Sequence, residues 1–367
     1  MSSTSNTALR VTELDFYSIK ENLKNYLRSQ SEFQDFDFEG SGMSVLLDVL
    51  AYNTHYMGYY LNMTANEMFL DTAQIRSSVL SHAKALGYVP ESKKGAQAIV
   101  NILVTPSNVE DLSKTTLTLD KYKRFLGEAI DGTNYTFVTY NSNNTVKVNG
   151  TFSFANVTLK QGDVTTIQYT MNSSNTKRRF TIPSTDVDTD TLTVLVQESS
   201  SNTDRVAYTL AEDITELNAN SEVFFIEESD DQQYVLYFGD GVIGKKPKNG
   251  NIIIATFLDT VGSPANNISR FTLTEPIGGP PGGYRDNVIV SSANSSFGGA
   301  DKETIEQVRF RAPYHYTTQN RAVTALDYET LITKDYPNID AVSVWGGEDN
   351  DPVVYGKVYL SLKTVGN

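Results

Sequence analysis

The sequence predicts a multidomain α+β protein, with an N-terminal helical bundle segment, an antiparallel β-rich middle and a C-terminal α/β domain. Three changes of pattern carry that expectation. Apolar residues recur at helical spacing as far as a Gly and Pro stop near residue 90, and then alternate every second residue over short runs. After a Gly/Pro/Ser/Asn-rich stretch the helical pattern returns before two last strands. A chain of 367 residues exceeds one small core, and the changes place the domains at 1–90, 91–235 and 236–367.

The helical part reads in order. Ile19, Leu23, Tyr26 and Leu27 share one face, and Met43, Leu46, Leu47, Leu50 and Tyr52 form a second apolar run. A third run holds Thr72, Ile75, Val79, Ala83 and Leu86, with Gly87 where a left-handed cap closes a helix and Pro90 barring continuation. These three helices are expected to form a small bundle. Between the first two, "SEFQDFDFEGSG" alternates Phe33, Phe36 and Phe38 with Asp35, Asp37 and Glu39. A calcium loop is refused, because the twelfth position from Asp35 is Leu46, which offers no closing carboxylate. The expected structure is extended, with Phe36 and Phe38 docked and the carboxylates in water or against a partner.

The middle reads as short strands, "AIVNILVT", "TTLTLD", "YTFVTY", "TTIQYTM", "TLTVLV" and "VFFIEE", parted by Asn, Ser, Asp and Gly clusters. A second acidic comb, Asp186, Asp188 and Asp190, fails as a calcium loop because Thr191 and Gln197 replace the required Gly and acid. The last domain is expected to open on a strand, a glycine turn and a strand. A helix then starts near Asp301 and ends before Pro313, and the next has a capping box of Thr324 and Asp327. Strands "IDAVSVW" and "VVYGKVYLSLK" follow, joined by the turn "GGEDNDP" with Gly346 and Gly347; Val358, Leu360 and Leu362 point one way. Ending a few residues past a strand is expected of a chain that continues or has been cut.

Composition narrows the function. The formal charge of −14, from 44 acidic and 30 basic residues, gives no concentrated basic footprint beyond Lys177-Arg178-Arg179, so nucleic acid is not an expected partner. Cysteine is absent, which excludes disulfides, thiolate metal sites and cysteine nucleophiles. No signal-type leader and no run of about 18 apolar residues occurs, so no membrane association is expected.

The segment "FGDGVIGKKPKNG" imitates a phosphate loop, but the magnesium-binding hydroxyl is replaced by Lys246 and a strand-like run, "NIIIATF", follows in place of a helix. Gly239, Asp240, Gly241 and Gly244 therefore read as a structural turn. His55, His82 and His315 have no paired-ligand spacing, so no metal site or catalytic triad is expected. His55 is expected to pack among Tyr52, Tyr56 and Tyr59, and His82 to lie on the surface or at a subunit contact. No cofactor is expected.

Twenty-one tyrosines and 17 phenylalanines point instead to contact surface. In "YNTHYMGYYLNM", residues 52, 56, 59, 60 and 63 cover more than half of a helix circumference, more than a small bundle buries against itself. Packing against other chains is the expectation.

Several ordered segments then carry a resemblance: "YFGDGVIGKKPKNGNIIIATFLDTVGSPANNI", "GGADKETIEQVRFRAPYHYTTQNRAVTALDYETLI", "YPNIDAVSVWGGEDNDP" and "YGKVYLSLK", together with the helical start from "EFQDFDFEGSG" to "KALGYVP". They resemble the baseplate J-like family of contractile injection machines, and most of all the inner-ring wedge subunits of T4-like bacteriophage baseplates. The resemblance covers roughly 31–90 and 235–363 and implies a C-terminal baseplate J-like domain. It implies a structural protein of the virion tail baseplate, assembled in the host cytoplasm and without catalysis. Two copies per wedge would join into a ring around the hub, which rearranges on infection. Implied partners are a second copy, a larger wedge protein through the N-terminal helices, the small sheath-initiating subunit, and other wedge or hub proteins. The implied helical contacts are Tyr52, Tyr56, Tyr59, Met63, Phe69 and Ile75. The alternatives are a tail accessory or adhesin-like protein and a glycan-cleaving tail enzyme; relatives of the wedge subunit run well beyond 367 residues.

Overall fold

The computed structural model describes residues 15–28, 41–106, 114–172, 179–211, 217–229, 231–278, 287–318, 321–336 and 339–364. Phe36 and Phe38 lie outside the described residues, as do the acidic comb beside them and the Lys177-Arg178 pair. Five α-helices and seventeen strands occur among the described residues, in two compact units. The first takes residues up to Tyr88 and adds Ile305–Pro313; the second takes Val89–Thr304 and Tyr314 onward.

In the first unit, α1 (Phe16–Arg28) packs on α2 (Gly42–Glu67), and α3 (Arg76–Ala85) follows a short turn. Ser41 caps α2 by accepting the Ser44 N–H at 3.1 Å. Lys20 pairs with Asp48 between α1 and α2 at 2.5 Å. α3 ends as its sequence anticipates. Gly87, at φ +75°, donates to the Lys84 carbonyl and Tyr88 to that of Ala83, the paired bonds that close a helix through a left-handed residue. Val79, Ala83 and Tyr88 form a small core with Ala73, Val308 and Ala312, the last two from the start of α4 (Ile305–Thr318). Pro313 was expected to follow this helix and instead lies inside it. A proline there removes one N–H donor, to the Arg309 carbonyl, while burial of Val308 and Ala312 on α3 favours the helix. The division between the units falls at this proline.

Among its described residues the second unit holds three sheets. The first has the order β14-β3-β4-β6-β1-β15, with β5 on β6 and β2 on β5. Its strands are β1 (Gln97–Val104), β2 (Thr116–Leu119), β3 (Arg124–Glu128), β4 (Asn134–Thr139), β5 (Asn143–Val148), β6 (Thr151–Gln161), β14 (Arg270–Leu273) and β15 (Val288–Ser292). The period-two burial of β1 sends Ala98, Val100, Ile102 and Val104 into a core with Phe125, Phe137 and Phe152.

The second sheet has the order β7-β13-β9-β10-β11-β12-β8. It contains β7 (Asp163–Thr170), β8 (Arg179–Thr181), β9 (Val187–Gln197), β10 (Arg205–Leu210), β11 (Val223–Glu228), β12 (Tyr234–Phe238) and β13 (Ile252–Asp259). Its core includes Phe180, Tyr234, Leu236, Ile253 and Phe257. Among the described residues its strands pair antiparallel except β10 with β11.

The expected boundary at 236 falls within β12, and β13 lies beside β9 rather than in a separate C-terminal body. The strands on either side of the glycine loop are also not a hairpin, because β9, β10 and β11 stand between them. The C-terminal piece is α5 (Ala325–Asp335) and the hairpin of β16 (Ile339–Gly346) and β17 (Val358–Thr364). α5 carries its capping box, with Thr324 N–H on Asp327 Oδ2 at 2.7 Å and Asp327 N–H on Thr324 Oγ1 at 3.3 Å.

Candidate assembly surfaces

α2 leaves most of its apolar surface uncovered. Of its 26 residues only Ser44, Leu47, Ala51 and Asn62 are buried. They form one narrow stripe in which small side chains permit close approach. Tyr52, Tyr56 and Tyr59 are 54%, 41% and 52% exposed, and Met63 on the same helix is also exposed. Val45, Leu46, Val49, Leu50, Met57 and Tyr60 add exposed apolar surface on other sides. A patch of this extent marks a contact site rather than ordinary surface scatter. The sequence reading named Tyr60 but not Val45, Val49 or Met57 as contact surface, although the absence of a polar face on this helix was a usable signal.

The tyrosines are held in place before any partner arrives. Tyr52 and Tyr56 share a hydrogen bond between their hydroxyls at 2.8 Å, with rings edge to face at 4.6 Å. That hydrogen bond raises the Tyr56 phenol above its ordinary pKa. Tyr59 packs edge-on to Tyr60 and His55 edge-on to Tyr56. Such fixed aromatic side chains lose little rotamer freedom on binding.

Phe69 and Ile75 are exposed on the α2–α3 connection. Two side chains organise that turn. Glu67 accepts the N–H groups of Gln74 at 2.8 Å and Ile75 at 3.3 Å, supplying the cap that Ile75 lacks at the start of α3. Burial pushes the Glu67 carboxyl up, but the bonds from Gln74, Ser78 and Ile75 prevail and hold it below its ordinary range. Arg309 donates to the carbonyls of Ala73 at 2.5 Å and Leu70 at 3.1 Å. His82 is half-buried, and its Nε2 meets the Glu67 carbonyl at 2.9 Å, so its observed contact is internal.

The second unit contains the glycine turns and the acidic comb. Asp240 accepts the N–H groups of Val242 and Ile243, and Gly241 and Gly244 have φ of +96° and +82°. A Cβ on Gly239 would sit 2.3 Å from the Gly244 backbone. Lys245 is bound to Glu222 at 2.6 Å. In the C-terminal turn, Gly347 exchanges backbone bonds with Lys357 and Val354, and a Cβ on it would collide with the Val354 carbonyl, while one on Gly346 would meet the Glu348 carboxylate.

Each acid of the comb has a lysine: Asp186 with Lys93 at 2.7 Å, Asp188 with Lys160 at 2.8 Å and Asp190 with Lys94 at 3.5 Å. Asp188 is fully buried and also accepts the Gly95 N–H at 2.9 Å. His315 lies on α4, where burial and then the Lys334 charge lower its pKa. No group of three or more His, Cys, Asp or Glu suited to a metal, and no helix long and apolar enough to cross a membrane, occurs among the described residues.

Comparison with known proteins bears on both ends of the chain. Residues 15–88 match the helical domain of baseplate wedge protein gp6-like proteins, and residues 324–366 match C-terminal domain I of the baseplate structural protein gp6. The baseplate wedge protein gp6 of Enterobacteria phage T4 is 28% identical over 351 residues, which is 88% of this chain and 50% of that protein. The chain thus spans half the length of this relative. A chain of the anti-feeding prophage baseplate, solved by cryo-electron microscopy, is 15% identical with a TM-score of 0.32, covering 91% of this chain and 59% of that one.

Proposed function

We propose that this chain, whose two ends match models of gp6-like baseplate wedge proteins, is a structural subunit of a contractile-tail baseplate wedge in the virion. It links wedges into the inner ring around the hub and persists there while the baseplate rearranges. The observation that supports this best is α2, a 26-residue helix with tyrosines on several sides and only four buried residues, inside the segment matched to the wedge helical domain.

The partners are a second copy in each wedge, a larger wedge protein bundled with α1 and α2, and the small sheath-initiating subunit beside other wedge or hub proteins. The role is non-enzymatic and needs no cofactor. Co-expression with its wedge neighbours tests it: the wild-type chain co-purifies as a stoichiometric complex, and the folded Tyr56→Ala, Tyr59→Ala variant does not. Unchanged assembly of that variant removes the assigned role of α2.

A further inference from the structure

We propose that Lys121, Tyr122 and Tyr140 form a docking site for a carboxylate side chain on another protein chain. The site lies on the first sheet of the second unit and is independent of the role assigned to α2. It is built around a strained residue. Tyr122, between β2 and β3, has φ of +67°, a left-handed conformation that bulky L side chains rarely adopt. A turn that served only to redirect the chain would take Gly or Asn here.

Thr139, fully buried at the end of β4, holds the strain in place. Its carbonyl accepts the Tyr122 N–H at 2.8 Å, and its N–H donates to the Lys123 carbonyl at 3.0 Å. Its Oγ1 accepts the Lys123 N–H at 2.8 Å and donates to the Asp120 carbonyl at 2.6 Å. A strained residue fixed this firmly by its surroundings points to a ligand clamp.

The conformation sets a cation against two rings. Lys121 Nζ stands 4.6 Å from the Tyr122 ring centroid and 5.6 Å from that of Tyr140. Tyr140 is fixed in turn by its N–H, which donates to the Thr158 carbonyl on β6 at 3.0 Å. Lys121 is exposed and both tyrosines are partly exposed. Among the described residues neither tyrosine hydroxyl has a hydrogen bond and Lys121 has no ion pair.

An ammonium and two phenol hydroxyls offer donors, so the ligand they suit is an anionic oxygen, with the rings against its apolar stem. A nucleic-acid backbone needs several cations together. Here Lys160 is held by the buried Asp188 at 2.8 Å and Arg124 by Glu275 at 3.8 Å, which leaves only Lys121 and Lys123. In a chain of net charge −14, an exposed lysine without a carboxylate of its own is complementary to a partner's carboxylate.

A fluorescent poly-glutamate peptide added to the full chain tests the site, with oligothymidylate as the competing probe. Carbodiimide coupling should join the peptide to Lys121 ahead of the other lysines, as located by mass spectrometry. Lys121→Gln should weaken peptide binding about tenfold, the loss of one charge-assisted hydrogen bond. Tyr122→Asn suits the left-handed backbone, so binding should fall while the urea midpoint stays level or rises.

Tighter binding of oligothymidylate, or coupling spread evenly over the exposed lysines, overturns the site. A Tyr122→Asn midpoint lower by about 0.5 M or more also overturns it, by making Tyr122 a packing residue. In wedge complexes the same reagent should join Lys121 to an Asp or Glu of a neighbouring chain. Complexes that form with Lys121 unlinked, or linked within its own chain, overturn the site and leave the wedge reading intact. Failure to form any wedge complex overturns that reading, and the peptide result then decides the site.

Discussion

Replacing Asp188 with Ala should be among the most destabilising changes in the second unit. The carboxylate is fully buried, accepts Lys160 at 2.8 Å and Gly95 at 2.9 Å, and orders the β9 entry through the Asp190 N–H at 3.1 Å. Its removal strands an ammonium whose side chain is 14% exposed and leaves the Gly95 N–H without its acceptor. Breaking one partner of a buried pair costs about 3–5 kcal/mol. With a urea slope of about 2–3 kcal/mol per molar, the midpoint of the second unit falls by roughly 1.5 M.

Asp188→Asn, which keeps volume and an acceptor, should fall by less. The double variant Lys160→Met, Asp188→Leu should recover most of the loss, because well-packed apolar groups replace buried pairs at little net cost. Burial pushes the Asp188 carboxyl above its ordinary range, against the pull of Lys160 and Gly95. A raised folded pKa favours the protonated form, so this group's contribution is fully present below the ordinary carboxylate range and is lost as pH rises through the folded value. The double variant should lack that pH dependence. An Asp188→Ala midpoint within about 0.3 M of wild type, roughly 1 kcal/mol, refutes the reasoning.

Two further changes probe the first unit. Glu67→Ala removes the cap of α3 and should cost about 1 kcal/mol, read as faster hydrogen exchange at Ile75. Because the Glu67 pKa is depressed, that protection should be present above the ordinary carboxylate range and fade as pH falls through the folded value. Arg309→Ala frees the carbonyls of Leu70 and Ala73 and should cost about 2–4 kcal/mol by thermal melting, with Arg309→Lys only partly restoring it because an ammonium lacks the fork.

Local chemistry was legible in the sequence where the partners are near neighbours. Gly87 before Pro90 marked the end of α3, and Thr324 with Asp327 marked the start of α5, because both depend on residues within one turn. Pro313 misled for the same reason: the local rule favours a stop, and the burial that carries α4 through it comes from Val79 and Ala83, over 200 residues away. The boundary near 236 was misplaced because strand order is non-local, and β13 joins β9 from across the glycine loop. The acidic comb could be refused as a calcium loop, but the lysines that explain it, at 93, 94 and 160, could not be read from its own pattern. The candidate surface on α2 was visible as apolar periodicity without a polar face. Its preorganised tyrosine pair and the Glu67 and Arg309 supports depend on side-chain placement that residue spacing does not fix.

The most consequential interface change is at α2. Burying the exposed parts of Tyr56 and Tyr59, side chains of roughly 200 Å² each, removes about 190 Å² from water and is worth at most roughly 5 kcal/mol. Entropic and desolvation costs reduce this, so double truncation should weaken wedge assembly by at least about tenfold to a hundredfold.

Particle imaging of the chain assembled with its neighbours decides the role proposed for it, because copy number and position are read together. The expected result is two copies per wedge in a closed ring around the hub, with α2 in a helical bundle shared with other chains. A trimeric, elongated particle attached outside that ring, with α2 facing solvent, would contradict it.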